Sequence, residues 1–176
     1  LRDQKLARPL AVPGTPGLEH RVGGLEKADG TGNVSYDPAN HEKMVRLRQA
    51  KIDGIADEIP PLVVHDPSGE ADLLVIGWGS TWGPTLAATA RLRKTGRHVA
   101  TAHLRHLNPL PNNVGEVLRA YKRVIVPEMN TGQLAGLLRS KFLVDAQSYS
   151  RVRGLPISPA AFEEDLILMI DGLDGR

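Results

Sequence analysis

The chain has no cysteine. That excludes disulfides, thiol nucleophiles and any iron–sulfur cluster ligated from within it. It also fits poorly with the oxidising compartments that favour disulfide frameworks, so a cytoplasmic setting is expected. Charge of one sign is equally scarce: 22 basic and 20 acidic side chains leave +2, too small a surplus to point to nucleic acid or a membrane surface as partner. No apolar run approaches the roughly 20 residues that cross a bilayer, and the first ten residues carry four charges. Three catalytic signatures are missing too: a G-x-S-x-G elbow, a phosphate-binding G-x-x-x-x-G-K-[ST] loop and a metal-binding H-E-x-x-H helix. Self-contained hydrolase or kinase chemistry is therefore unsupported, and no metal set is visible. The sequence opens at Leu1, and the expectation is a portion of a longer chain.

What is present is ordinary globular composition: 176 residues, 41% hydrophobic and 24% charged, enough for one core plus an appendage. Residues 1–61 read as an extended arm and a connecting helix. Pro9, Pro13 and Pro16, with glycines at 14, 17, 23, 24, 30 and 32, interrupt both helical and strand periodicity. The arm is expected to lie on a surface supplied by another domain or subunit. Asp37-Pro38 then starts a helix running to about residue 57, with Asp37 as cap and Val45, Ile52, Ile55 and Ile59 as a rough apolar stripe. Residues 62–176 read as a three-layer α/β domain with a mostly parallel, doubly wound sheet. Leu73-Leu74-Val75-Ile76 is the continuous apolar run of a strand covered on both faces. Strands are expected at 72–77, 98–104, 123–127 and 144–149, the last at an edge, with helices at 84–94, 114–121, 131–142 and from Ser158-Pro159 to 170. A short edge strand is expected at 62–64, before an Asp66-Pro67-Ser68-Gly69 turn. Strand followed by helix, repeated, implies right-handed parallel crossovers.

In such a sheet the loops at the carboxyl ends of the strands hold the functional residues. The first, Gly77-Trp78-Gly79-Ser80-Thr81-Trp82-Gly83, joins a buried strand to a helix whose free amides suit an anion. Its glycines are spaced G-x-G-x-x-x-G, and the next strand ends in Leu104-Arg105-His106 with no acid for a ribose, so dinucleotide binding is rejected. Two readings stay open: a tight turn whose tryptophans pack on a neighbour, the weightier one, and direct ligand contact through Ser80 and Thr81. The second loop places Arg105 and His106 just past a strand end, where they face a partner or steady an anionic substrate. The third, Glu128-Met129-Asn130-Thr131-Gly132, offers Glu128 as an acid or base or as a hydrogen-bonded loop anchor, and Asn130 as a helix cap. No residue is assigned a catalytic, cofactor-binding or metal-ligating role; Ser80, Thr81, Arg105, His106, Glu128 and Asn130 are the substrate-channel or interface candidates.

The arm, with its Pro13-Gly14-Thr15-Pro16-Gly17-Leu18-Glu19-His20 segment and Gly23-Gly24-Leu25-Glu26-Lys27, resembles the α subunit of 2-oxoacid:ferredoxin oxidoreductases. The likeness continues through Gly77-Trp78-Gly79-Ser80-Thr81, His103-Leu104-Arg105-His106-Leu107-Asn108-Pro109 and Val126-Pro127-Glu128-Met129-Asn130. The 2-oxoglutarate-using members are most similar. The resemblance implies oxidative decarboxylation of a 2-oxoacid to acyl-coenzyme A with electrons passed to ferredoxin. It also implies thiamine diphosphate, magnesium and an iron–sulfur cluster in the complex, held largely by a β subunit and not by this chain. Residues 62–176 would then be a domain like the transketolase C-terminal domain, serving subunit packing. The implied partners are that β subunit, upstream domains of the same α subunit and, indirectly, ferredoxin. Two alternatives stand beside this reading: a free-standing flavodoxin-like module binding an anion or small ligand, and a purely structural interaction domain.

Overall fold

The computed structural model describes residues 2–172, which divide into two compact units with the boundary between Ile59 and Pro60. In the first unit the arm holds one isolated antiparallel bridge, Lys27 to Val34, and is otherwise turns and extended backbone. Two carboxylates tie it to the helix behind it. Asp29 pairs with Lys43 at 2.9 Å and Arg2 at 3.4 Å, and Glu26 takes Arg48 at 3.1 Å and His41 at 2.7 Å. Helix α1 (Pro38–Asp53) starts as its sequence dictates, with the Asp37 carboxylate accepting from the Ala39 amide and Pro38 in the first turn. It is shorter than the sequence suggests, because the chain tightens into a 3-10 turn at Gly54–Glu58, starting at a residue that holds α geometry poorly. The expected apolar stripe is also corrected. Val45 and Ile55 are 46% and 44% exposed, and burial falls on Met44 and Ala56 instead. Periodicity marks a face of a helix but not what covers it.

The second unit is a five-stranded sheet of β1 (Val64–His65), β2 (Leu73–Trp78), β3 (Val99–Leu104), β4 (Arg123–Glu128) and β5 (Ala146–Ser150), in the spatial order β1-β3-β2-β4-β5. All neighbours run parallel except β1, which pairs antiparallel along the β3 edge. The edge strand expected at 62–64 sits one to two residues later. Leu62 is buried, and its amide and carbonyl are both bonded by the Asn113 side chain instead of by the sheet. Four helices cover the faces: α2 (Trp82–Lys94), α3 (Val114–Arg119), α4 (Gln133–Phe142) and α5 (Pro159–Asp171). Alternation along the strands splits the core in two. Leu74, Ile76, Ala100, Ala102, Val124 and Val126 pack with residues of α3 and α4 such as Leu118, Leu134 and Leu138. Leu73, Val75, Val99 and Ile125 pack with Leu92 of α2 and with Phe162 and Leu166 of α5. Period-two strands between two helical layers explain why Leu73 to Ile76 are all buried.

The helix borders follow local chemistry. Ser158 caps α5 by accepting from the Ala161 amide, and Pro159 occupies its first turn. Gly96, at φ 84°, ends the turn after α2. Helix α4 begins at Gln133 and not at Thr131, and its N-cap position is Gly132 at φ 92°. Asn130, expected as the cap itself, acts from two residues upstream: its Oδ1 accepts from the amides of Gly132 at 2.8 Å and Gln133 at 3.1 Å.

Candidate functional site

The crossovers decide where the three loops meet. From β2 the chain moves to β3 on one side; from β3 it crosses back over β2 to reach β4 on the other. The carboxyl ends of β2 and β4 therefore flank the point where winding reverses, the usual ligand crevice of an open α/β sheet. Leu73 is in register with Arg123, so Trp78 and Glu128, each five residues further on, come side by side.

They close the crevice on each other. The Glu128 side chain is fully buried. One of its carboxylate oxygens accepts from Trp78 Nε1 at 3.2 Å, Asn130 Nδ2 at 3.1 Å and the Leu134 amide at 2.9 Å; the other accepts from the Ala135 amide at 3.1 Å. The negative charge thus sits on the first free amides of α4, where the helix dipole favours it. An external phosphate or carboxylate at this helix end would have to displace Glu128, so the structure places the loop-anchor geometry here and no open anion site. The backbone is tied as firmly: the Glu128 carbonyl accepts from the Arg151 amide at 2.9 Å, and the Ser150 hydroxyl bonds the Asn130 carbonyl.

The first loop is a 3-10 turn, Gly79–Thr81, leading into α2. Thr81 is 3% exposed and turned inward, its hydroxyl accepting from the Trp78 amide at 3.1 Å and donating to the Trp78 carbonyl at 2.8 Å. That inward turn requires glycine at 77, since a Cβ there would meet the Thr81 hydroxyl at 2.5 Å. Ser80 is exposed, with its hydroxyl 3.5 Å from Met129 Sδ. Ser80, Glu128 and Asn130 are therefore brought together at the reversal point. Arg105 and His106 are exposed and follow Leu104, which is in register with Trp78 at the end of β2.

Three functional-looking features escaped the sequence reading. The Trp78 indole bond to Glu128 joins residues 50 apart, and no local pattern announces it. Trp82, 41% exposed, packs its ring against His103 with centroids 4.9 Å apart. Burial, followed by the positive charge of Arg105, pushes the His103 imidazole below its usual range, and its Nδ1 is buried without a hydrogen-bond partner. The Arg151 guanidinium lies 4.1 Å over the Tyr149 ring and 2.7 Å from Asp165, which also accepts from the Tyr149 hydroxyl at 2.7 Å. Only the proximity of aromatic and charged residues in sequence, Tyr149 and Arg151, hinted at this group.

Thiolate ligands for a cluster are absent from the sequence, and among the described residues no group of three His, Cys, Asp or Glu side chains could hold a metal. No described helix is long and apolar enough to cross a membrane.

Residues 71–155 match the family model of the pyruvate:ferredoxin oxidoreductase core domain II. The 2-oxoglutarate oxidoreductase subunit KorA of Mycobacterium tuberculosis is 61% identical over 88% of this chain and 23% of its own length. Subunit α of 2-oxoacid:ferredoxin oxidoreductase 1 of Aeropyrum pernix is 38% identical over 73% of this chain and 20% of its own. Among solved structures, the 2-oxoglutarate:ferredoxin oxidoreductase from Magnetococcus marinus, with 2-oxoglutarate, coenzyme A and succinyl-CoA bound, superposes with a TM-score of 0.80. It is 36% identical, covering 92% of this chain and 28% of that one. The chain thus spans about a quarter of the length of the relatives it matches. Sequence identity, the core domain II match and the shared fold together show that most of this chain is similar to one part of the α subunit of 2-oxoacid:ferredoxin oxidoreductases.

Proposed function

We propose that this chain is the portion of an α subunit that packs and positions a 2-oxoacid:ferredoxin oxidoreductase, with 2-oxoglutarate as the first-choice substrate. The proposed overall reaction is oxidative decarboxylation to the acyl-coenzyme A ester, with electrons delivered to ferredoxin. The 61% identity to a 2-oxoglutarate oxidoreductase subunit carries the reading, and the likeness to a structure solved with 2-oxoglutarate and succinyl-CoA supports it. Thiamine diphosphate, magnesium and an iron–sulfur cluster belong, on this proposal, to other parts of the assembly, chiefly a β subunit. The cytoplasm is the proposed compartment.

Within the assembly, Ser80, Trp82, Arg105 and His106 are the proposed contact residues of the second unit, because they are exposed at the strand ends. Thr81, Glu128 and Asn130 act one step behind them, holding the loops in shape through the bonds described above. The flavodoxin-like rival, which would use the Ser80-Thr81 loop, gains no support from Thr81, whose hydroxyl is turned inward onto the Trp78 backbone.

The test is reconstitution. The complete α subunit, co-expressed with its partner subunit, is expected to reduce ferredoxin with 2-oxoglutarate and coenzyme A, whereas the 176-residue chain by itself is expected not to. Faster turnover with another 2-oxoacid would move the substrate assignment; an assembly inactive on every 2-oxoacid would remove the reading altogether.

A further inference from the structure

We propose that the arm forms an anion-binding site centred on Lys27. The Lys27 ammonium is buried and has no hydrogen-bond partner. A charged group withdrawn from water with nothing in exchange is strongly unfavourable, and a bound anion is the most direct relief. Lys27 also lines a cavity of about 850 Å³ contained within the first unit, a volume in the range of small-molecule sites.

The charge on the walls points the same way. Arg2, Arg8, Arg21 and His20 line the cavity with Lys27, against the carboxylates Glu19 and Asp29. Asp29 is already engaged by Arg2, Arg8 and Lys43 at 3.4, 3.9 and 2.9 Å. It therefore serves to hold two of the cavity's arginines in place and leaves the Lys27 charge uncompensated. Gly30 and Gly32 form part of the wall with φ of 85° and 78° and open space where a side chain would stand. The ligand class that suits several cations around one roomy cavity is a small molecule bearing more than one negative charge, on carboxylate or phosphoryl groups. The site rests on the arm alone and does not depend on which reaction the assembly performs.

Titration calorimetry of the purified chain with inorganic phosphate, 2-oxoglutarate and coenzyme A separates the two chemical sources. At least one probe is expected to bind. Lys27→Met is expected to weaken that probe by about tenfold or more, the loss of one charge-assisted contact. Lys27→Arg, and Lys51→Ala on the exposed face of α1, should stay within about twofold of the parent. Silence with all three probes overturns the site, as does unchanged affinity in a Lys27→Met chain whose circular dichroism matches the parent. Should that variant unfold, a salt series on the parent decides: affinity must fall steeply with ionic strength, and salt-independent binding refutes an ionic site.

Discussion

Glu128 shows how much one side chain can settle. Four donors, two of them main-chain amides of α4, converge on a carboxylate with no exposure to solvent. Replacing it by glutamine turns one acceptor into a donor that faces other donors. Glu128→Gln is therefore expected to cost about 2–4 kcal/mol, read as a lower denaturation midpoint in urea. Equal stability would mean that the amides of α4 find other partners. In the arm, hydrogen bonding from Arg48, and then from His41, holds the Glu26 carboxyl down at about 2 from an ordinary 4.5. Because the folded-state value is depressed, the stabilisation is complete above pH 4.5 and fades as the pH falls toward 2. Limited proteolysis of the arm should therefore accelerate across that acid window in the parent chain. In Glu26→Gln the same window should leave the rate flat. The identities of Glu128 and Glu26 were plain in the sequence, and Glu128 was already a site candidate. Their partners were not legible, since Trp78 lies 50 residues from one and Arg48 lies 22 from the other.

At the scale of elements, α5 is the most explicit case of sequence fixing packing. Phe162, Leu166 and Ile170 recur every fourth residue and all three are buried, Phe162 completely and against the Tyr149 ring at 4.4 Å. Phe162→Ala should cost about 3–5 kcal/mol of unfolding free energy, since it empties a site enclosed by sheet and helix. The turn before α4 works by backbone geometry instead. Gly132 holds φ 92°, and a Cβ there would stand 2.7 Å from the Ser148 hydroxyl. Gly132→Ala is expected to destabilise by about 1–3 kcal/mol through strain and contact together, measurable as a drop in thermal midpoint with the helix content retained. The β5 edge shows a different economy. The Arg139 Nε donates to the Ala146 carbonyl at 2.7 Å, and the Arg151 guanidinium to the Ser150 carbonyl at 3.0 Å. The first and last carbonyls of β5 are thereby occupied by arginine side chains. Element types and order could be read from periodicity and caps, whereas borders moved by one to four residues wherever a glycine or a distant side chain took over a hydrogen bond.

At the scale of the whole molecule, several large apolar side chains stand in water: Leu10 and Val22 in the arm at 88% each, and Leu155 in the second unit at 68%. On the function proposed above, these are surfaces for the other parts of the assembly to cover. Ser80→Ala and Arg105→Ala, introduced into the assembled enzyme, are expected to weaken subunit association, seen by analytical ultracentrifugation, more than they slow turnover per assembled complex. The opposite pattern, intact association with slowed turnover, would assign Ser80 and Arg105 to the substrate path instead.

The sequence by itself determined the α/β class, the alternation of covered strands and helices, and the exclusion of thiol and cluster chemistry, because these follow from composition and from periodicities of two and 3.6 residues. It also carried the family likeness, since motifs survive as strings. Tertiary structure alone decided that Glu128 faces inward and meets Trp78, that Thr81 turns away from solvent while Ser80 does not, and that the buried Lys27 ammonium is left without a hydrogen-bond partner. The physical reason is that hydrogen-bond satisfaction is a property of three-dimensional neighbours. Those neighbours here are set by a crossover that brings the ends of β2 and β4 together across 50 residues of chain.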